Sequence, residues 1–222
     1  MHRLLILAIT VSASLTIIGQ LLGAAWLVYG FKPLTTILIL VLVRALRERP
    51  GPAAGGRRWI AVGLVFSLIG DVFLMLPGNW FVHGLVSFLI AHLFYLVALC
   101  RGVRFMAHWQ PFVFYAVVAS GLLVVLYPKL PAALVLPVLL YVLFLASMAA
   151  QAAARHRVLG DAATRLAALG GLLFMTSDAA LAFNRFHTPF ALAPLAVLAT
   201  YYAAQTLLAL SVSSTAKLPL DA

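Results

Sequence analysis

Apolar runs of about twenty residues recur from one end of this chain to the other. A helix needs roughly that length to cross the hydrocarbon of a bilayer. Eight such runs stand out: 3–22, 32–46, 58–77, 81–100, 109–127, 131–151, 164–186 and 189–213. A lipid-exposed backbone can satisfy its N–H and C=O groups only within a helix or a closed barrel, and runs of this length and uniform polarity specify helices. The expected fold is therefore all-α: a polytopic membrane protein of eight transmembrane helices in a single domain over 1–222. The stretch "GAAWLVYGF" (23–31) is expected to finish the first crossing or to turn at the interface. Breaks between spans are expected at "ERPGPAAGGRR", "LPGNW", "YPKLP", "RHRVLGDAATR" and "RFHTP", where Pro and Gly act as turn punctuation. The first run follows a basic start and mimics a signal peptide; it is read as a retained helix, because further spans follow it.

Composition agrees with this reading. Of 222 residues, 65% are hydrophobic and 9% are charged, against about half and a quarter in soluble domains. A net charge of +10 could suggest nucleic acid, but the basic residues are scattered between apolar runs and work better as a topology signal. With the N-terminus in the cytoplasm, twelve Lys and Arg fall on the inner side and three on the other: Lys32, Lys129 and Arg185. Both termini are then expected inside, with Lys32 and Arg185 as exceptions to the bias. The lone cysteine, Cys100, excludes an intrachain disulfide and a thiolate cage.

Two of the five acidic residues lie inside apolar runs, Asp71 and Asp178. An ionised carboxylate at membrane depth costs several kcal/mol, so it faces the bundle interior, pairs with a base or keeps its proton. The two sit in similar stretches, "GLVFSLIGDVFLML" (63–76) and "GGLLFMTSDAALAF" (170–183), at an offset of 107 residues. Gly63 and Gly170, Leu74 and Leu181, and Tyr95 and Tyr202 repeat at the same offset. This suggests two four-helix repeats, 1–105 and 106–215, with equal membrane orientation.

Other polar groups fall at comparable depth. Lys32, Thr35 and Thr36 begin the second helix; His83, Ser87, His92 and Tyr95 descend the fourth; Thr200, Tyr201, Tyr202 and Gln205 descend the eighth. Asp178 and Arg185, seven residues apart, share a helix face. These groups can converge on one pocket in the outer half of the bundle. Two carboxylates in one dry site differ in protonation, which supplies an acid and an anion together. The competing readings are structural: aspartates tied to Lys32, Arg185 or a hydroxyl, and Lys32 and Arg185 snorkelling to the interface. No HExxH or G-x-S-x-G is present, and His83 and His92 point to opposite faces of one helix. No metal site is expected, although carboxylate ligation stays open, and no cofactor is required.

The segments "KPLTT" (32–36), "GDVFLMLP" (70–77), "FVHGLVSFLIAHLFY" (81–95), "TSDAALAFNRF" (176–186) and "YYAAQTLLA" (201–209) together resemble the YhhN-like membrane family, which includes the lysoplasmalogenases. The resemblance runs in order over nearly the whole chain. It implies hydrolysis of the vinyl ether bond of a lysoplasmalogen to a fatty aldehyde and a glycerophospho-base. The family's polar positions map onto Lys32, Asp71, His92, Tyr95, Asp178, Asn184, Tyr201, Tyr202 and Gln205. Asp71 and Asp178 are the expected catalytic pair, without an assignment of which is the acid. Lys32 and Arg185 are expected to hold the substrate phosphate, and His92, Tyr202 and Gln205 to orient water or the enol ether. The expected partners are a lysophospholipid and membrane lipid, not nucleic acid. Alternatives are a proton-coupled transporter, which helices broken beside the aspartates would favour, and a hydrolase of another lysolipid. Ala-, Leu- and Arg-rich usage suggests a bacterial inner membrane.

Overall fold

A computed structural model describes residues 2–48 and 55–213. Its eight α-helices are α1 (His2–Leu22), α2 (Ala25–Ala45), α3 (Gly56–Met75), α4 (Phe81–Leu99), α5 (Gln110–Leu126), α6 (Ala132–Leu159), α7 (Ala162–Phe186) and α8 (Ala193–Leu210). A short 3₁₀ turn, Tyr127–Lys129, follows α5. All eight helices are long and apolar enough to span a membrane, and the chain is an integral membrane protein. Arg49, Lys217 and Asp221, with most of the "ERPGPAAGGRR" break, lie outside the described residues.

Two boundaries differ from expectation. "GAAWLVYGF" neither completes α1 nor forms an interfacial turn; it supplies the first two turns of α2. The reversal is compressed into Gly23 and Ala24, and Gly23 adopts φ +68°, which a side chain would resist. Pro33 then lies inside α2 rather than at its start. Around it Ser12 of α1 donates to the Phe31 carbonyl at 3.1 Å and pairs with Thr35 at 2.7 Å, so hydroxyls fasten the two helices where backbone hydrogen bonding is weakest. The second difference is α6. "RHRVL" continues the helix instead of breaking it, because Ala and Arg are strong helix formers and the αL stop comes only at Gly160.

Packing follows the chain in pairs. α1 lies against α2, α3 against α4, α6 against α7, and α7 against α8, while α8 also touches α1, α2 and α3. Small residues permit the tightest approaches, as expected where lipid gives helices no hydrophobic reason to associate. A Cβ at Gly63 would lie 2.2 Å from the Tyr95 ring, and one at Gly170 would lie 3.1 Å from the Ala204 carbonyl. Each of these glycines, eight residues before an aspartate, brings its helix against the next one. Gln151 and Arg155 near the end of α6 bind the α4–α5 connection. Gln151 accepts from the Met106 N–H at 3.1 Å, and Arg155 donates to the carbonyls of Leu99 (3.1 Å) and Arg101.

Candidate active site

The bundle contains a cavity of about 450 Å³, open at its rim, and both intramembrane aspartates line it. α3 delivers Asp71, α7 delivers Asp178, and neither helix is interrupted there. Lys32, Asn184, Arg185 and Tyr201 also face this cavity.

The two carboxyl groups have unlike surroundings. Asp71 is 2% exposed. Its Oδ2 accepts hydrogen bonds from the hydroxyls of Thr36 (2.8 Å) and Tyr201 (2.7 Å), and its Oδ1 faces the Lys32 ammonium at 3.5 Å. A cation and two donors are what a buried anion requires. Asp178 is less enclosed, and its hydrogen-bond partner is the Tyr141 hydroxyl, at 2.5 Å. Among the described residues no Lys or Arg approaches Asp178 within 4 Å.

Arg185 shares the cavity with Asp178, as the seven-residue spacing predicts, but does not pair with it. Its guanidinium lies 3.9 Å over the Phe81 ring at the exposed rim, a cation–π contact. Asn184 lines the cavity and accepts from the Phe190 N–H at 3.1 Å, which fixes the turn into α8.

Four expected pocket residues do not line the cavity. His92, Tyr95 and Gln205 sit behind its wall, where α4 meets α8, and Tyr202 points from α8 toward Thr16 and Thr35 of α1 and α2. Tyr95 donates to Gln205 Oε1 at 2.7 Å and pairs with Ser67 at 3.0 Å. His92 is enclosed by the rings of Phe174, Tyr141 and Tyr95, with centroids 4.6, 5.1 and 6.5 Å away. The cause is helical phase. Tyr201 and Tyr202 differ by about 100° around α8, so only the first reaches the cavity. On α4 the cavity-facing residues are Phe81, Leu85 and Phe88, one turn above His92.

The sequence reading missed Tyr141 and the contribution of α5 and α6. Its only available signal was one phenol in the otherwise apolar "VLPVLLYVLFLA" (135–146). Among the described residues no three His, Cys, Asp or Glu side chains are grouped to hold a metal ion.

Eight membrane helices around a cavity lined by two carboxyl groups, with an arginine at its rim, define a polytopic membrane protein with a polar internal site. The YhhN family model matches residues 27–212, and the chain belongs to that family. Lysoplasmalogenase TMEM86A of Bos taurus is 40% identical over 157 residues, covering 68% of this chain and 64% of that protein. Lysoplasmalogenase TMEM86B of Sus scrofa is 35% identical over 87% of this chain and 79% of its own length. A Mycobacterium tuberculosis lysoplasmalogenase is 32% identical over 76% and 63%. The match spans just under two thirds of the TMEM86A proteins, 64% of the length of the bovine and human forms. No solved structure matches the chain.

Proposed function

We propose that this protein is a lysoplasmalogenase-like hydrolase that cleaves the vinyl ether bond of a lysoplasmalogen, with Asp178 as the proton donor and Asp71 as the stabilising anion. The observation that carries the reading is the asymmetry of two carboxyl groups on one cavity. Asp71 has a lysine and two hydroxyl donors; Asp178 has one phenol and no cation. Relatives named lysoplasmalogenase support the substrate class.

A vinyl ether, R–CH=CH–O–R′, hydrolyses by protonation at the carbon β to oxygen. Asp178 gives its proton to that carbon, and the π electrons form the new C–H bond. The resulting oxocarbenium ion is stabilised by the Asp71 carboxylate, as in glycosidases, where one acid and one carboxylate flank a similar cation. Water adds to the cationic carbon, loses a proton to restore Asp178, and the hemiacetal collapses to aldehyde and glycerophospho-base. Tyr201 and Thr36 hold Asp71 in place, and Tyr141 orients Asp178. Arg185 and Lys32 provide positive charge for the phosphate. Uninterrupted α3 and α7 favour this reading over a transporter with broken helices. With both termini in the cytoplasm of a bacterial inner membrane, the cavity opens toward the extracytoplasmic leaflet.

Hydrolysis in D₂O tests the chemistry. The aldehyde should carry one deuterium on the carbon next to the carbonyl, and Asp178→Asn should abolish its release. Unlabelled aldehyde, or full activity in Asp178→Asn, refutes the mechanism.

A further inference from the structure

The cavity is longer than the chemistry needs. α1 and α2 pack on α3 and α8, while α5 packs on α6 and α7 at the opposite edge of the bundle. A cavity touching both Gln20 and Lys32 on one side and Leu122 and Leu126 on the other therefore crosses the molecule. Its charged groups come from the α1–α3 side and from α7, and Tyr201 of α8 and Tyr141 of α6 add phenols. Apart from Tyr141, its α5–α6 arm is hydrocarbon: Leu122, Leu126, Val138, Val142 and Leu145. This arm starts at the acid. Val138 and Leu145 lie three residues before and four after Tyr141, on the same face of α6, and Tyr141 holds Asp178. Leu126, Val138 and Leu145 are buried, at 1%, 5% and 4% exposed, and Leu122 and Val142 are half-buried.

We infer that this arm gauges the substrate's hydrocarbon chain. The alkenyl tail runs from Asp178 along α5 and α6, and the side chains of Leu122, Val142 and Leu145 set the length that fits. The total volume lies within the usual range for small-molecule sites, about 300–1,000 Å³. The arm discriminates by length because lipid and arm are similarly apolar, so a methylene that fits changes affinity little, whereas each one beyond the end must stay outside or distort the wall. The inference rests on the proposed substrate for its chemistry but predicts binding independently of turnover.

The test uses the full-length protein in nanodiscs with two variants, Leu145→Ala to lengthen the arm and Val142→Phe to block it. Non-hydrolysable 1-O-alkyl lysophospholipids of 12 to 18 carbons, all with one headgroup, report affinity; lysoplasmalogens of the same lengths report kcat/KM for aldehyde release. Leu145→Ala should relieve overpacking by the longer chains and raise the 18-to-14-carbon affinity ratio on the order of tenfold, and Val142→Phe should lower it comparably. Length profiles parallel to wild type in both variants, with the proteins monodisperse, overturn the inference. If the profiles shift but no lysoplasmalogen is cleaved even by wild type, the arm stands and the proposed reaction falls.

Discussion

Tyr141→Phe isolates the proposed proton donor. The substitution removes one oxygen and keeps the ring that packs 5.1 Å from His92, so the wall behind the cavity is preserved. It deletes the 2.5 Å hydrogen bond to Asp178. In the ground state that bond joins two neutral groups and is worth about 1 kcal/mol. As the proton leaves Asp178 for carbon, the acceptor becomes a carboxylate and the bond roughly doubles in strength. The transition state therefore loses about 1–1.5 kcal/mol more than the ground state. That lowers kcat about five- to thirteenfold. KM should stay within about twofold, because the phenol is bonded to Asp178 and not to the ligand. The assay is aldehyde release from a lysoplasmalogen, coupled to an NADH-dependent alcohol dehydrogenase, with size-exclusion profiles matched between proteins. An unchanged or increased kcat refutes the reasoning, since a phenol serving a ground-state carboxylate would slow the reaction, not speed it. A loss beyond about a thousandfold would transfer the proton to the phenol itself.

Lys32→Met should destabilise the protein by about 3–5 kcal/mol, because it leaves the buried Asp71 without its cation. Adding Asp71→Asn should restore most of that stability in thermal melts while activity stays lost. Gly63→Ala forces a methyl into the Tyr95 ring and should cost about 1–3 kcal/mol; Gly30→Ala, with open space around it, should be neutral or stabilising by about 0.5–1 kcal/mol in the same melt. Burial pushes the Cys100 thiol above its usual range, only partly offset by Arg155. Less thiolate at neutral pH means alkylation by iodoacetamide slower than for a free thiol, accelerating as pH rises, and Cys100→Ser should leave activity intact.

Hydropathy reveals which segments cross a membrane, and all eight were legible on that basis. It is silent on which faces meet. In lipid the outside of a helix is as apolar as its packed side, so no amphipathic stripe reports the partner. Asp71 and Asp178 stood out because charge there is expensive, and Lys32 because it broke the charge bias. Tyr201 was legible only together with Tyr202, as adjacent phenols; about 100° of helical phase separates a cavity residue from a packing residue. His92 and Gln205 were legible as polar but not as members of a layer behind the wall. The arm on α5 and α6 was invisible, since Leu and Val lining a cavity read the same as Leu and Val facing lipid. The early start of α2 was hidden because a single reversal at Gly23 leaves no polar break.

The length of α6 couples distant parts of the protein. At 28 residues it measures about 42 Å, against roughly 30 Å of bilayer hydrocarbon. Its far end is moored by Arg155 and Gln151 to the backbone between Leu99 and Met106. Fourteen residues, about 21 Å of axial rise, separate Arg155 from Tyr141. The mooring thus works as an axial stop within the bundle. It fixes the rod lengthwise against the α4–α5 connection, and with it the height at which the Tyr141 phenol meets Asp178.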